Sequence, residues 1–191
     1  MLQLAEIFYS IQGEATYSGA PAVFVRLAGC NLSCSFCDTD YSLKFVATVD
    51  DVVSQVRGES RDCPIVILTG GEPTLQADTM PLIEALRRDG RRIHIESNGT
   101  TLVPLPPDVW LTVSPKARLH PGMAARANEV KLIVDGRVPI EWVQAFPIST
   151  PLFLQPEGNK PRNVELAMAA AKADPGRFRV SLQTHKYIGV R

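Results

Sequence analysis

The sequence has 191 residues, 45% of them hydrophobic, with 20 Lys and Arg against 20 Asp and Glu. Such a length can bury a sizeable core, and a single domain over residues 1–191 is expected. The balanced charge lacks the dense basic face that nucleic acid or an anionic membrane surface selects, so a small molecule is the expected partner, with no nucleic acid and no membrane. The opening run MLQLAEIFYSIQGE has no basic region followed by an apolar one, and no stretch reaches the roughly 20 apolar residues of a membrane span. A cytoplasmic location is expected.

In chain order, the first buried strand is read at Ala22 to Ala28, directly before a cysteine-rich segment. Thr48 can cap a helix running to about Arg57. Ile65 to Leu68 reads as the next strand, and Asp78 or Thr79 can start a helix that stops near Gly90. Strands follow at Arg92 to Ile95, Val109 to Val113 and Val130 to Val134. Pro139 suits the first turn of another helix. After a strand at Pro151 to Leu154 comes the Ala-rich helix Pro161 to Ala173, closed by Pro175, and a last strand at Arg179 to Leu182. Apolar runs alternating with helices predict an α/β fold whose strands are parallel, buried on both faces and joined by right-handed crossovers.

Polar and glycine-rich segments fall just after these strands: Thr69-Gly70-Gly71-Glu72-Pro73, Glu96-Ser97-Asn98-Gly99, Ser114-Pro115-Lys116, Gln155-Pro156-Glu157-Gly158 and Gln183-Thr184-His185. Each alone reads as a turn. Together, after parallel strands closing or nearly closing into a barrel, they predict a shared site on the C-terminal rim.

Cys30, Cys34 and Cys37 form a CxxxCxxC loop preceded by Gly29, while Cys63 stands alone before Pro64. Crowded cysteines in a chain without an export signal read as metal ligands rather than disulfides. Thiolates suit zinc or an iron-sulfur cluster, and three ligands leave one coordination position for chemistry. The alternative is a Cys3His zinc knot that recruits His94, His120 or His185.

The cysteine loop and Gly70-Gly71-Glu72-Pro73 resemble the radical S-adenosylmethionine superfamily. That resemblance implies a 4Fe-4S cluster on Cys30, Cys34 and Cys37 as the catalytic centre, with S-adenosylmethionine chelating the fourth iron and yielding a 5′-deoxyadenosyl radical. Within the superfamily, Ile11-Gln12-Gly13-Glu14, Phe24 to Cys30, Cys37-Asp38-Thr39, Glu96 to Thr100, Ser114-Pro115-Lys116 and Gln183 to Tyr187 resemble the 7-carboxy-7-deazaguanine synthase family. It implies conversion of 6-carboxy-5,6,7,8-tetrahydropterin to 7-carboxy-7-deazaguanine with loss of ammonia, in queuosine and 7-deazapurine biosynthesis. It also implies Mg2+ dependence, a homodimer and an electron donor such as flavodoxin.

On the same resemblance, Ile11, Gln12, Gly13, Glu14, Arg26, Thr69 and His185 would bind substrate. Phe36, Cys37, Asp38, Gly71, Glu72, Ser114, Pro115, Lys116, Gln155, Pro156, Glu157 and Gly158 would bind S-adenosylmethionine, Glu72 or a backbone carbonyl accepting from its amino group. Thr39 would contact magnesium. Arg26 is suited to a carboxylate because its planar guanidinium donates in parallel pairs; it could also be a charge snorkelling from a strand end. Glu14 could equally be a solvated turn residue, His185 a packed histidine and Lys116 a surface lysine. A complete barrel needs more helices than the sequence offers, so the expected fold is a trimmed, partial TIM-like barrel of about six mainly parallel strands with few helices. A glycyl-radical-enzyme activase and a non-catalytic iron-sulfur or zinc protein are the competing readings.

Overall fold

The computed structural model describes every residue from Met1 to Arg191. The seven expected strands are present as β2 (Pro21–Leu27), β4 (Ile65–Gly70), β5 (Arg92–Ser97), β6 (Trp110–Val113), β7 (Glu129–Val134), β8 (Leu152–Pro156) and β9 (Phe178–Val180). They pair in parallel in that order, so the partial barrel, expected at about six strands, contains all seven. Two strands absent from the sequence reading, β1 (Leu2–Ile11) and β3 (Phe45–Ala47), extend the sheet antiparallel beyond β2. The nine-stranded order β3-β1-β2-β4-β5-β6-β7-β8-β9 leaves an open, partial barrel.

Five short helices accompany it: α1 (Val49–Glu59), α2 (Thr79–Arg88), α3 (Pro121–Arg126), α4 (Pro161–Ala173) and α5 (Thr184–Ile188). α1 opens on a capping box, in which the Thr48 hydroxyl accepts from the Asp51 N–H and the Asp51 carboxylate accepts from the Thr48 N–H. Asp78 precedes α2 without capping it, because its carboxylate pairs with the amino group of Met1. Pro139 introduces a 3-10 run, Ile140–Ala145, rather than an α-helix. Pro147 follows closely and disfavours α geometry in Phe146, which leaves too little chain for a full helix. No helix is long and apolar enough to cross a membrane.

Alternation along the strands gives the sheet two different faces. Val23, Val25, Leu27, Val66, Leu68, Ile93, Ile95, Leu132 and Leu154 join Val52, Val56, Leu82 and Leu86 of the helices in the main core. The intervening residues make the inner face, which carries Phe24, Arg26, Thr69, Glu96, Lys131 and Gln155 toward a cavity. In β1 a bulge at Ala5 separates Leu4, opposite Leu27, from Glu6, opposite Arg26. The extra residue shifts the parity of the strand, so Leu2 and Leu4 belong to the outer core whereas Glu6 and Phe8 line the cavity.

Residues 12–20 loop back across the N-terminal end of this inner face. The loop is closed by hydrogen bonds from Gln12 N to Ala20 O (2.8 Å) and from Gly19 N to Gln12 O (2.7 Å). Tyr17 packs edge-on against His94 and Trp110, with ring centroids 4.3 and 5.0 Å away. Burial pushes the His94 imidazole down to about 4, so it is a neutral packing partner. Glu129, buried on β7, accepts from Thr16 N (3.1 Å) and the Thr112 hydroxyl (2.7 Å). The loop fills the N-terminal end and confines the cavity to the C-terminal ends of the strands. Glu129→Ala strands both donors, and a loss of roughly 1 to 3 kcal/mol is expected in thermal or denaturant unfolding of the ligand-free protein. An unchanged unfolding midpoint would show that the loop is held by other contacts.

Candidate active site

The cavity has a volume of about 440 Å³ and takes side chains from the cysteine loop and from all five predicted rim segments. The cysteine loop leaves β2 through Gly29, which has a φ of +84°. It is tied down by hydrogen bonds from Gly29 N to Tyr41 O and from Glu72 N to Gly29 O, both 3.0 Å. Asn31 adds a second anchor, accepting from Asn98 Nδ2 at 2.9 Å and donating to the Thr100 hydroxyl at 2.8 Å. Cys30, Cys34 and Cys37 all line the cavity as free thiols.

The donor set fits an iron-sulfur cluster: three soft thiolates on one anchored loop, open to the space a further ligand would occupy. It does not fit the zinc knot. No three His, Cys, Asp or Glu side chains converge as a single-ion site. His94 is packed against Tyr17, His120 accepts from Gly122 N at the start of α3, and His185, although it lines the cavity, packs its Nδ1 against Gly13. Cys63 is 5% exposed within the core, as a small buried residue before β4.

The Gly70-Gly71 turn touches the cysteine loop backbone to backbone. A Cβ on Gly71 would lie 2.0 Å from Gly29 O and 2.7 Å from Cys30 Cβ, so only glycine fits there. Of the two acceptors expected at this turn, the Glu72 side chain is engaged within the protein. It is fully buried, and its carboxylate accepts from Thr74 N and Oγ1, the Ser97 hydroxyl at 2.9 Å and Asn98 N at 2.6 Å. It braces the turn after β4 against the end of β5, which leaves a backbone carbonyl as the acceptor the turn can offer a ligand. Lys116 reaches back to Ser114, its Nζ donating to the carbonyl at 2.9 Å and the hydroxyl at 3.1 Å, and burial pushes its pKa down.

Across the cavity, Lys131 of β7 forms ion pairs with Glu14 and with Glu96, the latter at 2.7 Å. Gln12 donates to Glu96 at 3.2 Å, while Gln155 and Gln183 donate to Glu14 at 2.9 and 3.2 Å. Gly13 permits the close approach of His185, whose Nδ1 would be 2.2 Å from a Cβ there. Arg26 donates through Nε to Glu6 at 2.7 Å, and Arg191 pairs with the same carboxylate. Phe8 stacks on Phe24 at 5.0 Å, with the Arg191 guanidinium 4.8 Å over the Phe8 ring.

Residues 24–145 match the Radical SAM superfamily model. The 7-carboxy-7-deazaguanine synthase of Bacteroides thetaiotaomicron is 41% identical over 192 residues, covering 100% of both chains. The chain belongs to the 7-carboxy-7-deazaguanine synthase family of that superfamily. The family member from Rhodospirillum rubrum is 34% identical, covering 99% of this chain and 92% of its own. The crystal structure of QueE from Escherichia coli superposes with a TM-score of 0.82 at 27% identity, covering 96% of this chain and 94% of its own. Like other family members, the chain uses a 4Fe-4S cluster and S-adenosylmethionine.

Of the residues that the family resemblance marks, Glu72, Pro115 and Pro156 lie behind the cavity wall and all the others line it. The structure adds Glu6, Phe8, Phe24, Glu96, Lys131 and Arg191, none of them marked as a site residue by the sequence. Glu96 stood at the head of a recognised rim segment. For Lys131 the sequence offers only a charge inside an otherwise apolar strand.

Proposed function

We propose that this chain converts 6-carboxy-5,6,7,8-tetrahydropterin to 7-carboxy-7-deazaguanine with loss of ammonia, as a radical S-adenosylmethionine lyase of queuosine and 7-deazapurine biosynthesis. The observation that carries this reading is one cavity with three cysteines at its rim and a cation beside an aromatic pair within it. A carboxylated bicyclic ring needs those features. When bound, the cluster and S-adenosylmethionine supply a 5′-deoxyadenosyl radical that removes a hydrogen from the pterin.

In this reading Cys30, Cys34 and Cys37 hold the cluster, and Gly71, Ser114, Lys116, Gln155 and Gly158 cradle S-adenosylmethionine. Arg26 takes the substrate carboxylate, while Gln12, Glu14 and His185 meet the ring. The buried Oε1 atoms of Gln155 and Gln183 have no hydrogen-bond partner and are ready acceptors for a ligand. The activase alternative would have to thread a polypeptide into a cavity floored by buried charge, which suits a small anionic ring better. The proposal also takes residues 1–191 as one radical S-adenosylmethionine domain, acting as a cytoplasmic homodimer served by an electron donor such as flavodoxin; these rest on the family resemblance.

Thr39 is the oxygen ligand on offer to magnesium in this loop. Its neighbours are engaged, Asp38 with Lys186 and Asp40 with Ser42 and Lys44. Magnesium is a hard cation that favours oxygen ligands, and a lone threonine hydroxyl binds it weakly, so substrate oxygens would complete the site. Thr39→Ala is therefore expected to abolish most of the magnesium stimulation of turnover while cluster content is unchanged, and Thr39→Ser to retain much of it. A full magnesium response in Thr39→Ala would remove the residue from this role.

The test of the function is anaerobic incubation of the cluster-loaded protein with S-adenosylmethionine, a reductant and the carboxytetrahydropterin. Formation of 7-carboxy-7-deazaguanine and ammonia is expected. Cleavage of S-adenosylmethionine with the pterin left intact would overturn the assignment.

A further inference from the structure

Lys131 is 6% exposed on the inner face of β7, a position from which a lone ammonium would be excluded by the loss of its hydration. Glu14, from the loop after β1, and Glu96, at the end of β5, flank it and open to the cavity. The arrangement is asymmetric. Two carboxylates share one cation, and three glutamine amides fill in around them. Gln155 and Gln183 turn their amide N–H groups to Glu14 and leave their buried oxygens unpartnered, so the cluster is built to receive donors. The amino-pyrimidinone edge of a pterin is a row of N–H donors.

We propose that Lys131 is a positioning residue for the substrate: its buried ammonium holds the Glu14 and Glu96 carboxylates side by side as an acceptor pair for the N–H edge of the pterin. This rests on the pterin reading above. Two buried carboxylates this close to one another cannot both stay ionised without a cation between them. Burial raises Glu14, but Lys131 more than offsets it, helped by His185 and Gln183, and its pKa is held below the usual carboxylate range. Burial and the neighbouring Glu14 push Glu96 up, with Lys131 opposing and Glu129 adding to the rise. Lys131 itself is held protonated: burial works against its charge, and the two carboxylates overcome it. Lys116, half-buried at this cavity, adds a further positive charge near Lys131 and Glu96. Removing the Lys131 charge therefore raises both carboxylates, and the pair keeps a proton that must leave before both can accept.

The probe is 6-carboxypterin, an unreactive fluorescent pterin, titrated into cluster-loaded protein with S-adenosylmethionine under anaerobic conditions. Lys131→Met is expected to bind it roughly tenfold more weakly than the unmodified protein at about pH 6.5, and the ratio should shrink toward about pH 8.5 as the shared proton leaves. In the double variant Lys131→Met/Glu96→Gln only one carboxylate remains and its like-charged neighbour is gone, so the ratio should vary less with pH than in Lys131→Met. Affinity for S-adenosylmethionine should stay within about twofold throughout. If Lys131→Met matches the unmodified protein, or is weaker by one pH-independent factor that the double variant shares, Lys131 only supports the fold and the proposal is overturned. Cluster loading by the double variant but not by Lys131→Met would uphold charge compensation as its role; failure of both to load would overturn it. Failure of the unmodified protein to bind the probe or turn over the carboxytetrahydropterin would instead sink the pterin reading, and the proposal with it.

Discussion

Alanine at Cys30, Cys34 or Cys37 is expected to leave anaerobically reconstituted protein without a stable cluster and without turnover. Each thiolate is one of only three protein ligands, and no neighbouring cysteine can substitute: Cys63 is buried in the core, its sulfur 3.4 Å from Pro21 O and 3.5 Å from Ile65 O. The loop itself should survive, because its anchors are Gly29, Asn31 and the turn after β4 rather than the sulfurs. The loss is therefore of metal and not of fold. Iron content should fall from about four per chain to background, with the charge-transfer absorbance, while the far-ultraviolet circular dichroism is unchanged. Cys63→Ala should keep both iron and turnover. Retention of a full cluster by any of the three loop variants, or its loss in Cys63→Ala, would refute the ligand assignment.

Most of the parallel strands were legible because they are short, largely buried apolar runs, and their C-terminal loops carry unusual densities of glycine and polar residues. β1 was not, because the bulge at Ala5 breaks its alternation: Leu2 and Leu4 face the core on one register, Glu6 and Phe8 face the cavity on the other. The cysteine loop needed no tertiary information. The cavity walls did: Lys131 in Val130-Lys131-Leu132 and Glu96 in Ile95-Glu96-Ser97 alternate with residues of the outer core, so a charge inside a doubly buried strand was the available signal. Glu72 shows the opposite case. Its place in the glycine turn left its side chain or a backbone carbonyl as the acceptor, and Ser97 and Asn98 of a distant strand end occupy its carboxylate, which no local pattern reveals. Arg191 reaches Glu6 only through the packing of the C-terminal segment across β1, where Ser10 donates to its carbonyl at 2.8 Å.

Arg26→Ala is expected to weaken the carboxypterin by about 2 to 5 kcal/mol, roughly thirtyfold to several thousandfold, because a charge-assisted pair in a part-buried site would be lost. The position suits an anion even though Glu6 is already its partner. The Glu6 bond occupies Nε, so the two Nη groups remain to take a planar carboxylate side by side. The guanidinium carbon lies 5.8 Å from the Phe8 ring centroid, and Phe8 stacks on Phe24, so an aromatic pair stands next to the charge. Arg191 remains beside Glu6 in the variant, which keeps that carboxylate from becoming an unpaired charge and limits the damage to the fold. Arg26→Lys should recover part of the affinity, since an ammonium keeps the charge but not the parallel donors. A pterin without the carboxylate should bind the variant and the unmodified protein alike, and S-adenosylmethionine affinity should not change. Equal loss of the carboxylated pterin, the plain pterin and S-adenosylmethionine would mean that Arg26 holds the β1–β2 pair together through Glu6 and does not meet the substrate.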